Sequence, residues 1–456
     1  MNPRSRVRIL VLLLVAGILL LPVTTLAAPA KNIILMIGDG MGPSHFGAAW
    51  HYSNRVLGKE LRMVELMMRG RTAYVVNDTA DAIVAESASS ATQFATGVKV
   101  PALTVSMAAD GKTPLKTILE IAKERGMATG LVTTSGITDA TPAAFAAHVV
   151  HRSDEVSVAA QEIQLGVDVL LGGRKQFFLP EAAGGKRTDR RNLLKGAARA
   201  GYAVVGTAGE FRQASGGRIL GLFNMGNMAF EIDRARTLEP SLVEMTTKTL
   251  EILARNPKGL FVMIEGGRID HAAHRNDAAA TIRDVVAFDE AVGVAMEFQR
   301  TNPDTLLIVT ADHETGGMAI VGPWTGSRDY VGIDFSPIQK AQASFERILD
   351  ELGQNPTTGR IRDSVKKYLG IEITLEEARI VANDSIRRLD VNSRRATPHP
   401  LAFVLQPYLG VAWAGQTHTA SPLFAFGSGP GSEELVGFRH NTELFRIMKT
   451  ALGVSQ

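Results

Sequence analysis

Apolar residues in this chain fall into short unbroken runs separated by segments of helical period. Residues 33–37, 129–133, 167–171, 259–264, 305–310 and 423–427 form such runs. Their length and lack of alternation suit strands buried on both faces. Residues 72–76 and 202–205 read as further short strands. Between the runs, helical patterns cover residues 44–70, 115–125, 142–152, 192–200, 242–256, 277–300 and 441–452. Strands alternating with helices predict an α/β fold: a doubly wound, mostly parallel central sheet with helices on both faces. Residues 322–408 depart from this rhythm. Helical patterns at 337–352, 359–368 and 374–388 follow one another between Pro-rich edges. They are expected to form a mainly helical subdomain inserted into the α/β domain.

The N-terminus reads differently. Arg4, Arg6 and Arg8 precede an apolar run at 9–21, then Pro22 and Thr25-Leu26-Ala27-Ala28. A basic segment, a short apolar core and small residues before a cut describe a secretory signal peptide over 1–27, leaving a domain over 28–456. The run is short of the roughly 20 residues a membrane span needs; an uncleaved anchor is the alternative. Periplasmic or secreted localisation is therefore expected, with no stable membrane partner. The formal charge of +3 is carried by those arginines. The rest is balanced and has no basic run with interleaved aromatics, which argues against a nucleic-acid partner. The chain has no Cys, so any metal site here uses nitrogen and oxygen ligands.

Candidate chemistry collects where strands should end. The segment 85–99 opens on Glu86-Ser87, continues in small residues and closes on Thr96-Gly97-Val98-Lys99. As a helix it places Ser87 at or just before the N-terminus, where unpaired N–H groups and the macrodipole suit an anion. A Ser-capped surface helix is the simpler reading. Asp39, in Gly38-Asp39-Gly40, follows the first strand, at the sheet edge where α/β proteins bind ligands; an Asp-Gly turn explains it equally. Thr141-Pro142 fits an N-cap followed by a Pro at the first helical position. Asp270 and His274 share one helix face at i and i+4. Glu265 lies just before them, Asp312-His313 ends the next strand, and His418 sits in a Gly- and Thr-rich stretch. Imidazoles with carboxylates suit zinc or cobalt, and an oxygen set suits magnesium.

The order of these motifs resembles the alkaline phosphatase family. The matching segments are Ile-Gly-Asp-Gly-Met-Gly (37–42), Glu-Ser-Ala-Ser-Ser-Ala-Thr to Thr-Gly-Val-Lys (86–99) and Asp-Ala-Thr-Pro-Ala-Ala (139–144) with His148 and Arg152. They continue with Glu-Gly-Gly-Arg-Ile-Asp-His-Ala-Ala-His (265–274), Thr-Ala-Asp-His-Glu (310–314) and Thr-His-Thr (417–419). The resemblance implies a phosphomonoesterase of broad specificity and alkaline optimum. It implies Ser87 as nucleophile and as a metal ligand, and Arg152 as the group that grips two phosphate oxygens. Asp270, His274 and His418 then hold one zinc, and Asp39, Asp312 and His313 a second. Asp39, Thr141 and Glu265 hold a magnesium, with cobalt able to replace either metal. Substrates are small phosphate monoesters, with inorganic phosphate as product and inhibitor, and the assembly implied is a homodimer.

Two positions depart from the family's usual pattern. Glu86 stands where Asp is usual, which leaves open how Arg152 is positioned. His271 beside Asp139 alters the surroundings of the magnesium site, which leaves the metal preference open. His148 is expected to play a supporting or structural part. An arylsulfatase would need Cys or Ser before Pro and Arg two and four residues on, and Ser87 is followed by Ala-Ser-Ser-Ala-Thr. A phosphodiesterase of the same superfamily, which normally lacks the Glu265 ligand and the Arg clamp, is the nearest rival. A non-catalytic phosphate- or metal-binding protein is the third.

Overall fold

The computed structural model describes residues 29–322, 333–384 and 398–454. The expected signal peptide lies outside the described residues. Ten strands form one sheet: β1 (Asn32–Ile37), β2 (Arg71–Val76), β3 (Ala128–Gly136), β4 (Val169–Gly173), β5 (Ala203–Val205), β6 (Ile219–Leu222), β7 (Leu260–Glu265), β8 (Thr305–Thr310), β13 (Leu423–Ser428) and β14 (Gly437–His440). Four two-residue strands make two antiparallel ribbons: β9 (Glu314–Thr315) with β12 (His418–Thr419), and β10 (Ala319–Ile320) with β11 (Val411–Ala412).

The sheet order is β14-β2-β13-β8-β1-β7-β3-β4-β6-β5. Every pairing is parallel except those of β13, which runs antiparallel to both β2 and β8. The doubly wound α/β prediction holds. The unbroken apolar runs became the centre: every residue of β1, β7 and β8 is buried. Each fully buried Leu or Ile there contributes about 1.5–3 kcal/mol.

Several expectations shift, among them the helix expected over 337–352, which is two helices, Ser336–Lys340 and Phe345–Leu352. The helix expected over 44–70 is two helices, Pro43–Tyr52 and Arg62–Arg69. A wide π-helical turn at Ser53–Leu57 and the left-handed Gly58 part them. β4 lies two residues later than expected because Gly172 and Gly173 continue it. The apolar pattern did not predict β6, which stands between β4 and β5, or β14, which adds an edge strand beside β2. Between β10 and β11 the described residues hold helices Ser336–Lys340, Phe345–Leu352, Thr358–Leu369, Leu375–Asp384 and Pro400–Leu409. The tail of the helix expected over 374–388 lies outside the described residues. Among the described residues, no helix is long and apolar enough to cross a membrane.

Candidate active site

Strand register lines up the candidate residues. Ile37 is level with Glu265 of β7 and Thr310 of β8, and Thr133 of β3 is level with Glu265. Asp39, Asp312 and Glu265 therefore stand at one C-terminal sheet edge, where open α/β sheets bind ligands. The β9–β12 ribbon pairs His418 with Thr315 and so delivers His418 to the same edge. Helix Arg268–His274, which directly follows β7, carries Asp270 and His274.

These side chains converge. One ligand atom from each of Asp39, Asp312 and His313 lies within 4.8 Å of the others, as do atoms of Asp270, His313 and His418. His274 Nε2 lies 3.2 Å from Asp270 Oδ2 and 3.0 Å from His418 Nε2. The rings of His313 and His418 stack at 3.7 Å. Burial and three neighbouring carboxylates, Asp312, Asp270 and Glu265, push the Asp39 carboxyl well up. Burial likewise pushes Glu265 up to about 8 and Asp312 to about 6. It pulls His313 down to about 4 and His418 to about 3, leaving neutral rings with lone pairs for a cation. Against the upward push of burial, the imidazoles of His274, His418 and His313 hold Asp270 well below the usual range.

The donor set fits cations. Asp39 Oδ1, Asp312 Oδ2, Thr141 Oγ1 and both Glu265 oxygens are buried without a hydrogen-bond partner among the described residues. Five such atoms are costly to bury unless something charged meets them. The ordinary explanation of Thr141 as an N-cap is corrected. Its helix begins two residues earlier than expected, at Ala140, and Asp139 caps it by accepting from the Ala140 N–H. The Thr141 hydroxyl is thereby free for another task. That helix also ends at Ala146 rather than reaching Arg152.

Ser87 opens helix Ser87–Thr96, whose every residue is buried. Small side chains let the helix pack closely on helix Ala140–Ala146. Ser87 Oγ lies 3.2 Å from His313 Nε2. The simpler reading, a Ser-capped surface helix, does not hold: Glu86 is the cap. Its Oε2 accepts from the Ala88 N–H (2.9 Å) and its Oε1 from the Ser89 N–H (2.8 Å). These amides, expected to suit a bound anion, are occupied by the chain's own carboxylate. Glu86 also accepts from the Leu103 N–H and from Arg152 Nη1, each at 2.8 Å. Arg152 Nη2 donates to Asp139 Oδ1 at 2.9 Å. Against burial, Asp139 and Glu86 raise the affinity of this guanidinium for its proton.

The sequence profile of the alkaline phosphatase family matches residues 30–454. Alkaline phosphatase 4 of Bacillus subtilis (strain 168) is 32% identical over 435 residues, covering 93% of this chain and 90% of that protein. The alkaline phosphatase of Escherichia coli (strain K12) is 35% identical over 346 residues, covering 65% of this chain and 72% of that one. The crystal structure of Thermus thermophilus alkaline phosphatase superposes with a TM-score of 0.87 at 32% identity, covering 94% of this chain and 93% of that one.

The chain belongs to the alkaline phosphatase family. It is a phosphoric monoester hydrolase of a metalloenzyme family, and the buried clusters above are its candidate metal-binding groups.

Within this alkaline phosphatase fold, Glu86 reaches Arg152 despite its added methylene, which answers the question the sequence left open. His271 Nε2 lies 4.0 Å from Asp139 Oδ2, while its Nδ1 accepts from Arg268 Nη1 at 3.1 Å. Burial pulls His271 down to about 3. His148 stands apart from the clusters, bonded to the Ser106 carbonyl (2.9 Å) and to Glu120 (3.1 Å). Sequence reasoning missed several supporting residues. Thr315 donates to Asp270 Oδ1 at 2.5 Å. The Gly40 N–H donates to Asp312 Oδ1 at 3.0 Å, and Asn77 donates to the Asp312 carbonyl. Gln416 offers its carbonyl to His274 Nδ1 at 2.5 Å, fixing that ring's orientation. Arg174 pairs with Asp139 Oδ2 at 2.8 Å. Of these, Gly40 lies inside a recognised motif and Thr315 and Gln416 directly beside one, whereas Asn77 and Arg174 lie in none.

Proposed function

We propose that this chain hydrolyses phosphate monoesters through a phosphoserine at Ser87, in two in-line displacements that retain configuration at phosphorus. Broad specificity and an alkaline optimum belong to the same reading. One observation carries it: the Ser87 hydroxyl sits 3.2 Å from His313, whose ring belongs to both candidate ligand clusters. In this reading Asp270, His274 and His418 hold one zinc. Asp39, Asp312 and His313 hold the second, with Ser87 Oγ as a further ligand. Asp39, Thr141 and Glu265 hold a magnesium, and cobalt can replace either metal. Bound, such cations lower the pKa of a hydroxyl or water and neutralise phosphate oxygens.

The chain's own groups do the rest. Arg152 gives one N–H from each terminal nitrogen to Glu86 and Asp139. A second N–H on each nitrogen is left for two phosphate oxygens, the planar fork that suits a phosphate dianion. Glu86 and Asp139 hold the fork still before substrate arrives, so little ordering is left to the binding step. The buried helix start fixes Ser87 Oγ for attack, and the small side chains after it leave room at phosphorus.

Residues 1–27 are read as a signal peptide directing export to the periplasm or medium. Residues 322–408 are read as a helical unit inserted in the catalytic domain, and the assembly as a homodimer. The test of function is hydrolysis of nitrophenyl phosphate against the matching diester at alkaline pH, after chelation and reloading with zinc plus magnesium or with cobalt. Metal-dependent monoester turnover, lost in Ser87→Ala together with acid-trapped phosphoserine, is expected. Preference for the diester, or full turnover by Ser87→Ala, overturns the reading.

A further inference from the structure

Arg174 occupies a place that backbone chemistry would give to glycine. It follows Gly172-Gly173 at the end of β4 with φ +60, a left-handed conformation that is strained for a non-glycine residue. Its N–H donates to the Gly226 carbonyl at 2.5 Å. Opposite it, Gly136 ends β3, and a Cβ there would fall 2.2 Å from Arg174 Cγ and Cδ. One strand end is strained and another is kept bare around one side chain. Such an arrangement points to a use for that side chain.

The use is legible in its partners. The guanidinium is mostly buried, and each of its nitrogens meets a different acceptor. Nη1 reaches Glu155 Oε2 (2.8 Å), Nη2 reaches Asp139 Oδ2 (2.8 Å) and Nε reaches Asn227 Oδ1 (2.9 Å). Glu155 is itself held by the Thr138 hydroxyl at 2.6 Å. Asp139 Oδ2 also accepts from Ser135 Oγ at 2.6 Å, and its Oδ1 accepts from the Ala140 N–H and from Arg152 Nη2, both at 2.9 Å. The carboxylate thus takes four hydrogen bonds, two on each oxygen, and its lone pairs are spent. Charges alternate along Glu155, Arg174, Asp139, Arg152 and Glu86.

We infer that Arg174 is a positioning residue for phosphate binding: it locks Asp139 in the rotamer that presents Oδ1 to Arg152, and so keeps the phosphate-gripping fork aimed. Arg174 touches no substrate atom in this scheme. Without it, Asp139 Oδ2 keeps only Ser135, the carboxylate can rotate, and Arg152 is held by Glu86 alone. The inference rests on Arg152 being the phosphate clamp, and the test separates the two.

The experiment is a double-mutant cycle of Arg174→Met and Arg152→Met in the metal-loaded enzyme, reading the inhibition constant of inorganic phosphate, kcat and KM for nitrophenyl phosphate, and thermal stability. Arg174→Met should weaken phosphate by about 10-fold or more in the otherwise native enzyme, the range lost when supporting hydrogen bonds around a site are removed. In the Arg152→Met background it should have almost no further effect. An equal loss in both backgrounds overturns the inference, because the residue would then act without Arg152. An unchanged phosphate constant in Arg174→Met does so too, provided Arg152→Met alone weakens phosphate. If Arg152→Met is itself without effect, the clamp reading fails and the inference with it. Arg174→Lys keeps the charge but not the three-way fork, and guards against misfolding. It should fold with near-native thermal stability and still weaken phosphate, and native phosphate binding in that variant counts against the inference.

Discussion

Replacing Glu86 by Gln removes one charge and almost no volume, at the residue where helix capping and phosphate recognition meet. Each carboxylate oxygen of Glu86 takes two donors: Ser89 and Leu103 on Oε1, Ala88 and Arg152 on Oε2. A Gln has one acceptor oxygen, and its amide nitrogen can only donate. In either orientation, two N–H donors face another donor. If the amide oxygen keeps Ser89 and Leu103, Arg152 loses a charged hydrogen bond worth about 1.5–3 kcal/mol. At roughly 1.4 kcal/mol per tenfold, this is ~10- to 100-fold in the phosphate inhibition constant. If the oxygen turns to Arg152, the helix start loses the Ser89 bond of its cap instead, at about 1 kcal/mol of stability. The assay is phosphate inhibition of nitrophenyl phosphate hydrolysis, together with thermal unfolding. Glu86 is held below its usual pKa range: burial pushes it up, but Arg152 and the three amides outweigh that. Its stabilising effect is therefore present above the unfolded pKa and lost as pH falls through the folded one. The stability gap between native enzyme and variant should close in acid. A phosphate constant within about two-fold of native, with unchanged stability, refutes the reasoning, since neither loss would then have reached even 1 kcal/mol.

Glu162 is fully buried with both oxygens unpartnered among the described residues, and burial raises it well above its usual range. The folded state therefore holds its proton, and stability is lost as pH rises from the unfolded pKa through the folded one. Glu162→Gln should raise the melting temperature at pH 9 more than at pH 5, as calorimetry would register; equal shifts contradict it. His148 is raised despite burial by Glu120 and the Ser106 carbonyl, so its contribution is complete below the unfolded pKa and fades as pH climbs through the folded one. His148→Gln should cost stability near pH 6 and little near pH 9, measured by thermal unfolding at each pH. Thr141→Val deletes a hydroxyl that has no hydrogen-bond partner among the described residues. The chelator-treated protein should be no less stable than native, while the rise in melting temperature on adding magnesium should shrink; an undiminished rise removes Thr141 from the cation set.

The parts of this protein that could be read from the sequence are those where one physical rule acts alone. β1, β7 and β8 are buried on both faces, so unbroken apolarity marks them, and β8 was bounded without error. Asp39, Glu265 and Asp312 were legible because a strand end fixes their place. β14 was not, because Gly437, Arg439 and His440 in an edge strand have no apolar run to show. Thr141 was misread because Thr-Pro is a sound capping pair, and only the structure reveals that Asp139 has taken the cap. Arg174 was silent for a different reason. Its partners Asp139, Glu155 and Asn227 come from three separate segments, and no spacing along one stretch encodes such a meeting.

The antiparallel strand β13 has a consequence for the order in which the molecule can assemble. It slots between β2 and β8, so the sheet cannot be completed from either end of the chain in turn. His418 arrives only with the ribbon just ahead of it, after more than 400 residues have been synthesised. The convergence of Asp39 with His418 is thus among the most sequence-distant in the fold, and contacts of that kind form late because a long loop must close first. A chain stopped before β12 would keep eight of the ten strands yet lack one wall of the cluster. High-affinity cation capture should therefore mark a finished polypeptide, and serve as a kinetic signal that folding is over.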